Sequence, residues 1–150
     1  MNTPQPVVVE KTLAAPASQI WAAITDKEQM KQWYFVLSAF RPEVGFEFQF
    51  YGTGVEGEKF LHHCKITDVV KEKKLRYSWR YNGYEGMSYV CFELFSEGAT
   101  TLLKLTHEGI ETFPVTANND FSRANFNAGW TELIGKLLPD FLEKQSETIP

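Results

Sequence analysis

The sequence predicts an α+β fold in which a curved antiparallel sheet of about six strands wraps on a long C-terminal helix. One strand and two short helices come first, five further strands with turn residues between them follow, and a wide apolar helical stripe lies near the C-terminal end. With 150 residues, 43% of them hydrophobic, the chain is long enough to bury one sizeable core and short for two. We therefore expect residues 1–150 to form a single domain.

The first strand is followed by two short helices. Val7–Leu13 is rich in β-branched residues and ends before Pro16, which opens a helix more readily than it continues a central strand. In Ala17–Thr25 the apolar residues fall on one helical stripe. Asp26 and Gln29 have the spacing of a capping box, so a second helix is predicted to begin there. That helix would carry Met30, Trp33 and Tyr34.

The other five strands are predicted to form a meander. Phe46–Phe50 alternates with period two and places three phenylalanines on one face. Gly52, Gly54 and Gly57 predict a flexible turn, and Asn82-Gly83 is the pair typical of a type I′ hairpin turn. The remaining predicted strands are Phe60–Val70, Leu75–Tyr81, Met87–Phe95 and Thr100–His107.

A long amphipathic helix ends the predicted order of elements. Thr112–Asp120 is interpreted as a loop that ends in the capping residues Asn118 and Asn119. Pro139 follows Gly135 by four residues, and we expect a kink or an early end to the first helical segment near that point. The apolar stripe of period 3.6 consists of Phe126, Trp130, Leu133, Ile134, Leu137, Leu138, Phe141 and Leu142.

The helix must lie across the sheet to cover this stripe, and each strand then turns alternate residues towards it. The predicted inward residues are Phe46, Phe48, Phe50, Phe60, His62, Cys64, Ile66, Leu75, Tyr77, Trp79, Tyr81, Val90, Phe92, Leu94, Leu103 and Leu105. Large aromatic side chains with polar tips in such a groove are typical of a ligand cavity. The alternative is that they fill the groove themselves, as in an ordinary core.

The predicted function is therefore the binding of a small hydrophobic or aromatic molecule between the C-terminal helix and the sheet. The residues predicted to bind it are Trp33, Phe48, Phe50, His62, Trp79, Tyr81, Phe92, Trp130 and Ile134. The indole N–H groups of Trp33, Trp79 and Trp130 need hydrogen-bond partners if they are buried, which makes these side chains the best candidates for the cavity wall.

Four segments in this order resemble a known family. They are Ala14–Thr25 (AAPASQIWAAIT) with the later Trp33, Leu75–Trp79 (LRYSW), Thr101–Ile110 (TLLKLTHEGI), and the pair Gly129-Trp130 on the final helix. Each motif alone is weak, but their order is similar to that of START-like (SRPBCC) domains. Within that superfamily the chain resembles the C-terminal domain of the activator of heat-shock-protein-90 ATPase, over nearly its whole length.

The resemblance implies the helix-grip (START/Bet v-like) fold, with a hydrophobic cavity between the C-terminal helix and the sheet. Relatives include lipid and hormone binders, polyketide cyclases and aromatases, and co-chaperones, so the fold alone does not choose an activity. Two alternatives to ligand binding follow from it. One is a protein-interaction module related to chaperone ATPase activators, and the other is a cyclase-like enzyme that uses the same cavity.

Composition and motifs narrow the classes of partner. The net charge of -4 without a basic block argues against nucleic acid, and no apolar run is long enough to span a membrane. The segment Met1–Glu10 lacks the features of a signal peptide, so a cytoplasmic location and reduced cysteines are expected. No motif for a cofactor is present, and we expect a monomer or a homodimer.

Candidate catalytic and metal-binding residues are few. His62 and Cys64 share a face of one strand, but a tetrahedral zinc site needs further ligands, and a structural role is favoured. His107 is interpreted either as a proton carrier near the mouth of the cavity or as a surface or hydrogen-bonded residue. A cyclase-like enzyme would draw its acid or base from Tyr77, Tyr81 or His62. Binding is favoured over catalysis, and no catalytic or metal-binding residue is assigned.

Overall fold

The computed structural model describes residues 5–54, 56–114 and 120–148. Six strands form one antiparallel sheet in the order β1-β6-β5-β4-β3-β2, and the predicted α+β helix-grip arrangement is confirmed. The strands are β1 (Val7–Leu13), β2 (Glu47–Thr53), β3 (Lys59–Val70), β4 (Lys74–Tyr81), β5 (Ser88–Glu97) and β6 (Thr100–Glu108). The helices are α1 (Ala17–Thr25), α2 (Lys27–Trp33), a short 3-10 turn (Ile110–Thr112), α3 (Arg123–Glu132), a π-helical turn (Leu133–Leu137) and α4 (Leu138–Thr148).

The strands turn inward the residues that the alternation predicted. Every predicted inward residue is buried except Phe46, which is half-buried at the start of the sheet. The inward positions of β5 and β6 also include polar residues, which the apolar pattern did not predict. These buried polar residues are Ser88, Thr101 and His107. The buried face of the sheet therefore carries hydrogen-bonding groups at the ends of its strands.

The two short helices form as predicted, but the cap between them differs in detail. The Asp26 side chain accepts a hydrogen bond from the backbone N–H of Glu28, which satisfies one free donor at the start of α2. The reciprocal half of the capping box is missing, because the Asp26 backbone N–H donates to the Ala22 carbonyl. The Gln29 side chain instead accepts from Gln145 and links α2 to α4.

Two predicted turns are wrong in detail. Gly52 belongs to β2, where it pairs with Phe60 of β3, so the turn begins later than the glycines indicated. At Asn82-Gly83 only Gly83 has a positive φ, of 81°, whereas a type I′ turn requires a positive φ at both residues. The turn is closed by a hydrogen bond from the Tyr84 N–H to the Tyr81 carbonyl, and β5 begins only at Ser88.

The C-terminal helix, which we define as α3, the π-helical turn and α4, runs through Pro139 without ending. At the π-helical turn the Leu138 N–H donates to the Leu133 carbonyl, five residues earlier. This wider turn lies at the point where Pro139 lacks an N–H to donate to Gly135, so the predicted irregularity is present as a π-turn. The Ser122 side chain caps the start by accepting from the Asn125 N–H. The predicted capping residues Asn118 and Asn119 lie outside the described residues.

The C-terminal helix covers the sheet with one face. Its buried residues, at intervals of four, are Phe126, Trp130, Ile134, Leu138 and Leu142. Trp130 is only 3% exposed and packs against Trp79 of β4, with ring centroids 5.7 Å apart, so the predicted phase of the helix is correct. Within the described residues, no helix is long and apolar enough to cross a membrane.

Candidate ligand-binding site

The interior between helix and sheet has two ends, and the first is filled by side chains. We call it the closed end and define it by Tyr34, Phe48, Tyr77 and Phe92. The hydroxyl groups of Tyr34 and Tyr77 lie 2.6 Å apart and form one hydrogen bond. Burial raises the pKa of both phenols well above the usual value, and the neighbouring phenol raises that of Tyr34 further. Rings from Phe48 and Phe92 pack on Tyr77 at 5.1 and 6.1 Å between centroids, which leaves the groups neutral and enclosed.

The second end holds a cavity of about 140 Å³, and we call it the cavity end. The cavity lies between β2, β3 and β4 on one side and the start of the C-terminal helix on the other, and it is partly open to solvent. Most of its wall is aromatic. The lining residues are Phe35, Gly52, Thr53, Gly54, Phe60, His62, Trp79, Tyr81, Asp120, Phe121, Asn125, Phe126, Gly129, Trp130 and Leu133.

Three glycines line the cavity, and they differ in what surrounds them. A Cβ atom on Gly52 would lie 2.7 Å from Cε1 of His62, so the histidine ring occupies the space that a side chain there would need. Gly54 is similarly enclosed by Phe60 and Asp120. Gly129 differs, because a Cβ atom on it would meet nothing within 4 Å. It lies at the exposed rim of the cavity, where a side chain would meet no other protein atom at its Cβ position.

Trp130 is held in place by a buried chain of hydrogen bonds. Its indole N–H donates to Nδ1 of His107 at 2.9 Å. Because an indole N–H only donates, Nδ1 of His107 must be the acceptor, and the proton of the neutral ring sits on Nε2. That Nε2–H donates to the Ser88 hydroxyl at 2.6 Å, and Ser88 donates to the Trp79 carbonyl. Burial, with a smaller effect of nearby His62, lowers the pKa of His107 to about 3.

The indole N–H of Trp79, unlike that of Trp130, is not hydrogen-bonded to another described residue. Its indole Nε1–H is buried and has no hydrogen-bond acceptor among the described residues. Burial raises the pKa of Tyr81, and the nearby Trp79 N–H opposes part of that rise. The N–H and the Tyr81 hydroxyl do not reach the geometry of a hydrogen bond. An unpaired buried donor is costly, typically about 1–3 kcal/mol. Trp79 therefore carries a fully buried donor with no acceptor in hydrogen-bond geometry among the described residues.

His62 is the second nitrogen-bearing ring in the wall. Its Nδ1 lies 3.0 Å from the Phe60 carbonyl, so Nδ1 carries the proton and Nε2 is the acceptor in the neutral ring. Burial lowers its pKa to about 4, and backbone hydrogen bonds oppose part of that shift. The ring stacks on Phe50 with centroids 4.4 Å apart and meets Trp79 edge-on at 4.8 Å. At neutral pH this histidine is an uncharged part of the wall.

The rim of the cavity carries its remaining polar groups. Asp120 is 7% exposed and lines the cavity, and its carbonyl accepts a hydrogen bond from the Asn125 side chain. The lining residues include no lysine or arginine. With His62 neutral, the described part of the wall offers an anionic ligand no cationic partner.

The structure brings four of the nine predicted binding residues to the cavity. His62, Trp79, Tyr81 and Trp130 line it. The other five are buried in the core away from its wall, namely Trp33, Phe48, Phe50, Phe92 and Ile134. The Trp33 indole, for example, donates to the Ala23 carbonyl at 2.9 Å. Ligand contact by any of the nine remains a prediction.

Several lining residues were outside the predicted set. Phe35 follows α2 and stacks on Phe50, and Phe121 stacks on Tyr81 from the turn before α3. One signal for the cavity was present in the sequence. The period-two alternation of β2 continues from Phe50 into Gly52 and Gly54, so the inward aromatic residues give way to inward glycines.

The geometry gives little support to metal binding or to acid–base catalysis by the other candidate residues. Among the described residues no group of three or more His, Cys, Asp or Glu side chains could hold a metal ion. Burial raises the pKa of the Cys64 thiol, which keeps it protonated beside His62. Tyr77 lies at the closed end, away from the cavity. His107 is fully buried and hydrogen-bonded at both nitrogens, so the hydrogen-bonded interpretation holds and it is not a proton carrier at the mouth.

Comparison with known proteins shows that this fold is that of the START-like (SRPBCC) superfamily. Within it, the chain belongs to the family described as Activator of Hsp90 ATPase homolog 1-like protein, which it matches over residues 14–143. A search of curated proteins found no significant match. The family membership agrees with the resemblance found in the sequence motifs.

Solved structures share the fold at low sequence identity. Protein MLL2253 from Mesorhizobium loti is 25% identical with a TM-score of 0.73, covering 93% of this chain and 98% of its own. CV1439 from Chromobacterium violaceum is 19% identical with a TM-score of 0.76, covering 94% and 99%. DynU16, from the dynemicin biosynthetic locus, is 23% identical with a TM-score of 0.73 over 94% of this chain, which spans 48% of DynU16. The likeness to CV1439 and DynU16 extends to the fold alone.

Proposed function

We propose that the protein binds a small hydrophobic or aromatic molecule in the cavity between the C-terminal helix and the sheet. The observation that carries the proposal is the cavity itself, about 140 Å³ in volume and walled largely by aromatic rings. Close packing is the rule in protein interiors, so a space walled largely by aromatic rings is the part of this interior best suited to an apolar ligand. The family fold, with its space between helix and sheet, is consistent with this role.

The volume limits the size of the ligand. Sites for drug-sized ligands measure about 300–1,000 Å³, whereas an apolar cavity of about 150 Å³ holds one benzene ring. At about 140 Å³ this cavity has space for one ring, with any substituent directed to the open side. Long lipids would require the closed end to open, which the Tyr34–Tyr77 hydrogen bond and the packed rings around it oppose.

A thermal-shift titration with single-ring probes such as benzene, toluene and phenol tests the proposal. A ligand that binds only the folded protein stabilises it by RT ln(1 + [L]/Kd), about 2.7 kcal/mol at a hundredfold excess over Kd. At least one probe should raise Tm in a concentration-dependent manner. If none of them does so up to its solubility limit, the proposal is wrong. A protein that co-purifies in stoichiometric amounts, without any ligand effect, would favour the interaction-module alternative.

A pair of glycine variants supplies the matched control. Gly129→Leu adds a side chain at the rim of the cavity without meeting any atom at Cβ, and should abolish the Tm rise. Gly135→Leu makes the same change on the same helix, also with no atom within 4 Å of Cβ, at a position outside the lining. The Gly135 variant should keep the response to ligand. Equal responses in both variants would mean that the probe binds elsewhere.

A further inference from the structure

We propose that the ligand of this cavity is a protonated arylalkylamine, with its ring against the aromatic wall and its ammonium group beside the carboxylate of Asp120. This inference rests on the proposed function and adds the charge and chemical class of the ligand. Three observations support it together, namely space for one ring, a wall that is mostly aromatic, and a nearly buried carboxylate among the lining residues.

The carboxylate of Asp120 lies among the residues that line the cavity. Asp120 is 7% exposed and directly precedes Phe121, whose ring belongs to the aromatic wall. Its Oδ1 atom is 2.8 Å from the place that a Cβ atom on Gly54, another lining residue, would occupy. Burial raises the pKa of Tyr81, and the negative charge of Asp120 adds to that rise. The side chain of Asp120, and not only its backbone, is therefore close to the cavity.

A second carboxylate increases the negative potential at the same place. The Oε1 atom of Glu58 lies close to the same point beside Gly54 as the Oδ1 atom of Asp120. Two like charges so near each other repel, and a positive charge beside them offsets that repulsion. This part of the cavity wall therefore favours a cation over a neutral group of the same size.

The described lining contains no cationic side chain of the protein's own. It includes no lysine or arginine, and residues 115–119 contain neither in their sequence. His62 is uncharged at neutral pH, because burial lowers its pKa to about 4. Arg123, at the start of α3, donates instead to the backbone carbonyls of Gln5 and Pro6. A positively charged ligand would thus supply the charge that the described wall lacks.

The aromatic wall suits a cation as well as a ring. Near Asp120 the rings of Tyr81 and Phe121 stack with centroids 4.4 Å apart, and Phe60 meets them edge-on at 5.8 and 5.3 Å. Aromatic faces attract an ammonium group within about 6 Å, and more strongly where water is excluded. At about 140 Å³ the cavity has space for one ring, so the ammonium group would lie towards the rim, where Asp120 is.

Calorimetric titrations with benzylamine, benzyl alcohol and benzoate separate the effect of the ring from that of the charge. All three have one ring and a single small substituent, and at neutral pH they are a cation, a neutral molecule and an anion. Benzylamine should bind about tenfold more tightly than benzyl alcohol, because the carboxylate and the aromatic faces both favour its charge. Benzoate should bind more weakly than benzyl alcohol, because it loses hydration without gaining a cationic partner.

Asp120→Asn and Glu97→Gln form a matched pair, since each replaces a carboxylate by an amide of nearly the same shape. In Asp120→Asn the preference for benzylamine over benzyl alcohol should fall to less than about threefold. Glu97 is exposed at the end of β5 and outside the lining, so its variant should keep the wild-type preference.

If Asp120→Asn fails to fold, nuclear Overhauser effects in the wild-type protein decide where the amine binds. The methylene protons of bound benzylamine should show contacts to the ring protons of Phe121, which lines the cavity next to Asp120. Contacts only to residues outside the lining would overturn the proposed placement.

The outcomes distinguish this inference from the proposed function. Equal affinities for benzylamine and benzyl alcohol, or an undiminished preference in Asp120→Asn, would overturn the cationic class and leave the binding of aromatic rings intact. Tighter binding of benzoate than of benzyl alcohol would do the same. Absence of binding by all three, together with no response to benzene, toluene or phenol, would overturn the proposed function itself.

Discussion

The closed end and the cavity end of the interior are built on the same strands and differ in what stands opposite those strands. Tyr77 and Tyr81 both point inward from β4. At the closed end the neighbouring rings of Phe48 and Phe92 pack on Tyr77, and its hydroxyl bonds to Tyr34. At the cavity end β2 presents Gly52, the His62 ring fills the place of a side chain there, and a space remains between this wall and the start of the C-terminal helix.

The comparison shows that strands whose inward side chains are packed solid at one end can border a cavity at the other end. The hydrogen-bonding groups follow the same division. At the closed end the hydroxyl groups of Tyr34 and Tyr77 form a hydrogen bond with each other. At the cavity end the Trp79 N–H has no hydrogen bond to another described residue. The closed end is therefore expected to contribute mainly to stability, and the cavity end mainly to binding. Four predictions test this division.

The largest expected effect is the removal of a ring from the closed end. Phe92→Ala should destabilise the protein by about 3–5 kcal/mol, because the side chain is fully buried and its loss leaves an enclosed void. Phe121→Ala at the cavity end should cost at least about 1 kcal/mol less, since it enlarges a space that is already open. Urea unfolding of both variants measures the difference. Equal losses would show that the two ends are packed alike.

The second prediction concerns acid, to which the cavity end should be the more sensitive. The pKa of His62 in the folded protein is about 4, below the value near 6.5 in an unfolded chain. The unfolded state therefore binds more protons between these pH values, and the free energy of unfolding falls as pH is lowered from about 6.5 to about 4. For His62 this loss is roughly 3 kcal/mol, and it is complete below the folded pKa.

Urea unfolding at pH 7 and at pH 4.5 measures this loss. In His62→Gln the decrease between the two pH values should be smaller than in the wild-type protein by roughly 2–3 kcal/mol. His107→Gln should show a similar reduction, since burial lowers that pKa to about 3. The tyrosines of the closed end do not titrate in this range, because burial raises their pKa values. A pH dependence that is unchanged in both histidine variants would contradict the prediction.

A third prediction compares two hydroxyl groups on β4. Tyr77→Phe removes the partner of the Tyr34 hydroxyl and should cost about 1–2 kcal/mol, because a buried polar group is left unpaired. Tyr81→Phe should change stability by no more than about 0.5 kcal/mol, since Tyr81 lines a cavity that is partly open to solvent and its hydroxyl is not paired with another phenol as that of Tyr77 is. Both variants keep the aromatic ring, so the comparison isolates the hydroxyl. A larger loss at Tyr81 would reverse the assigned roles.

The smallest expected effect is a gain of stability in the helix. Gly129→Ala and Gly135→Ala should each stabilise the protein by about 0.5–1 kcal/mol, because alanine favours helix and its Cβ meets no atom within 4 Å at either position. The benefit at Gly135 should be the smaller of the two, since that residue lies in the π-helical turn. Thermal unfolding measures both, and destabilisation by Gly129→Ala would mean that the rim has less space than the structure shows.

Much of the fold was accessible from the sequence because it depends on periodicity. The alternation from Phe46 to Leu105 placed the strands in the correct phase, and the stripe around Trp130 placed the helix. Pairs of turn residues were less informative, since Asn82-Gly83 is compatible with several turn types and the six-residue connection to Ser88 depends on tertiary contacts. Local signals of this kind are overridden wherever a neighbouring segment packs against the turn.

The candidate site was only partly accessible, for a reason of distance along the chain. Alternation indicates which residues point inward, but not which inward residues face empty space. That depends on pairings such as Gly52 with Phe60, and on the proximity of Phe121, more than sixty residues later. The hydrogen bonds from Trp130 through His107 to Ser88 likewise join three distant segments. Hydrophobic patterning carries no information about such polar pairings, so Ser88 could not be foreseen.

The π-helical turn at Leu133–Leu137 lets the C-terminal helix follow a repeat of four residues, which an ordinary α-helix does not match. A step of four residues overshoots a full α-helical turn by about 40°, so a stripe of five such positions would spiral around the helix and leave the sheet. One wider turn in the middle takes up part of that rotation and keeps Leu138 and Leu142 buried on the same side of the helix as Phe126 and Trp130. The C-terminal helix thus consists of two α-helical segments whose apolar faces are aligned by the π-helical turn between them. Deleting a single residue from this turn would rotate the second segment by about 100° and expose its apolar side to water.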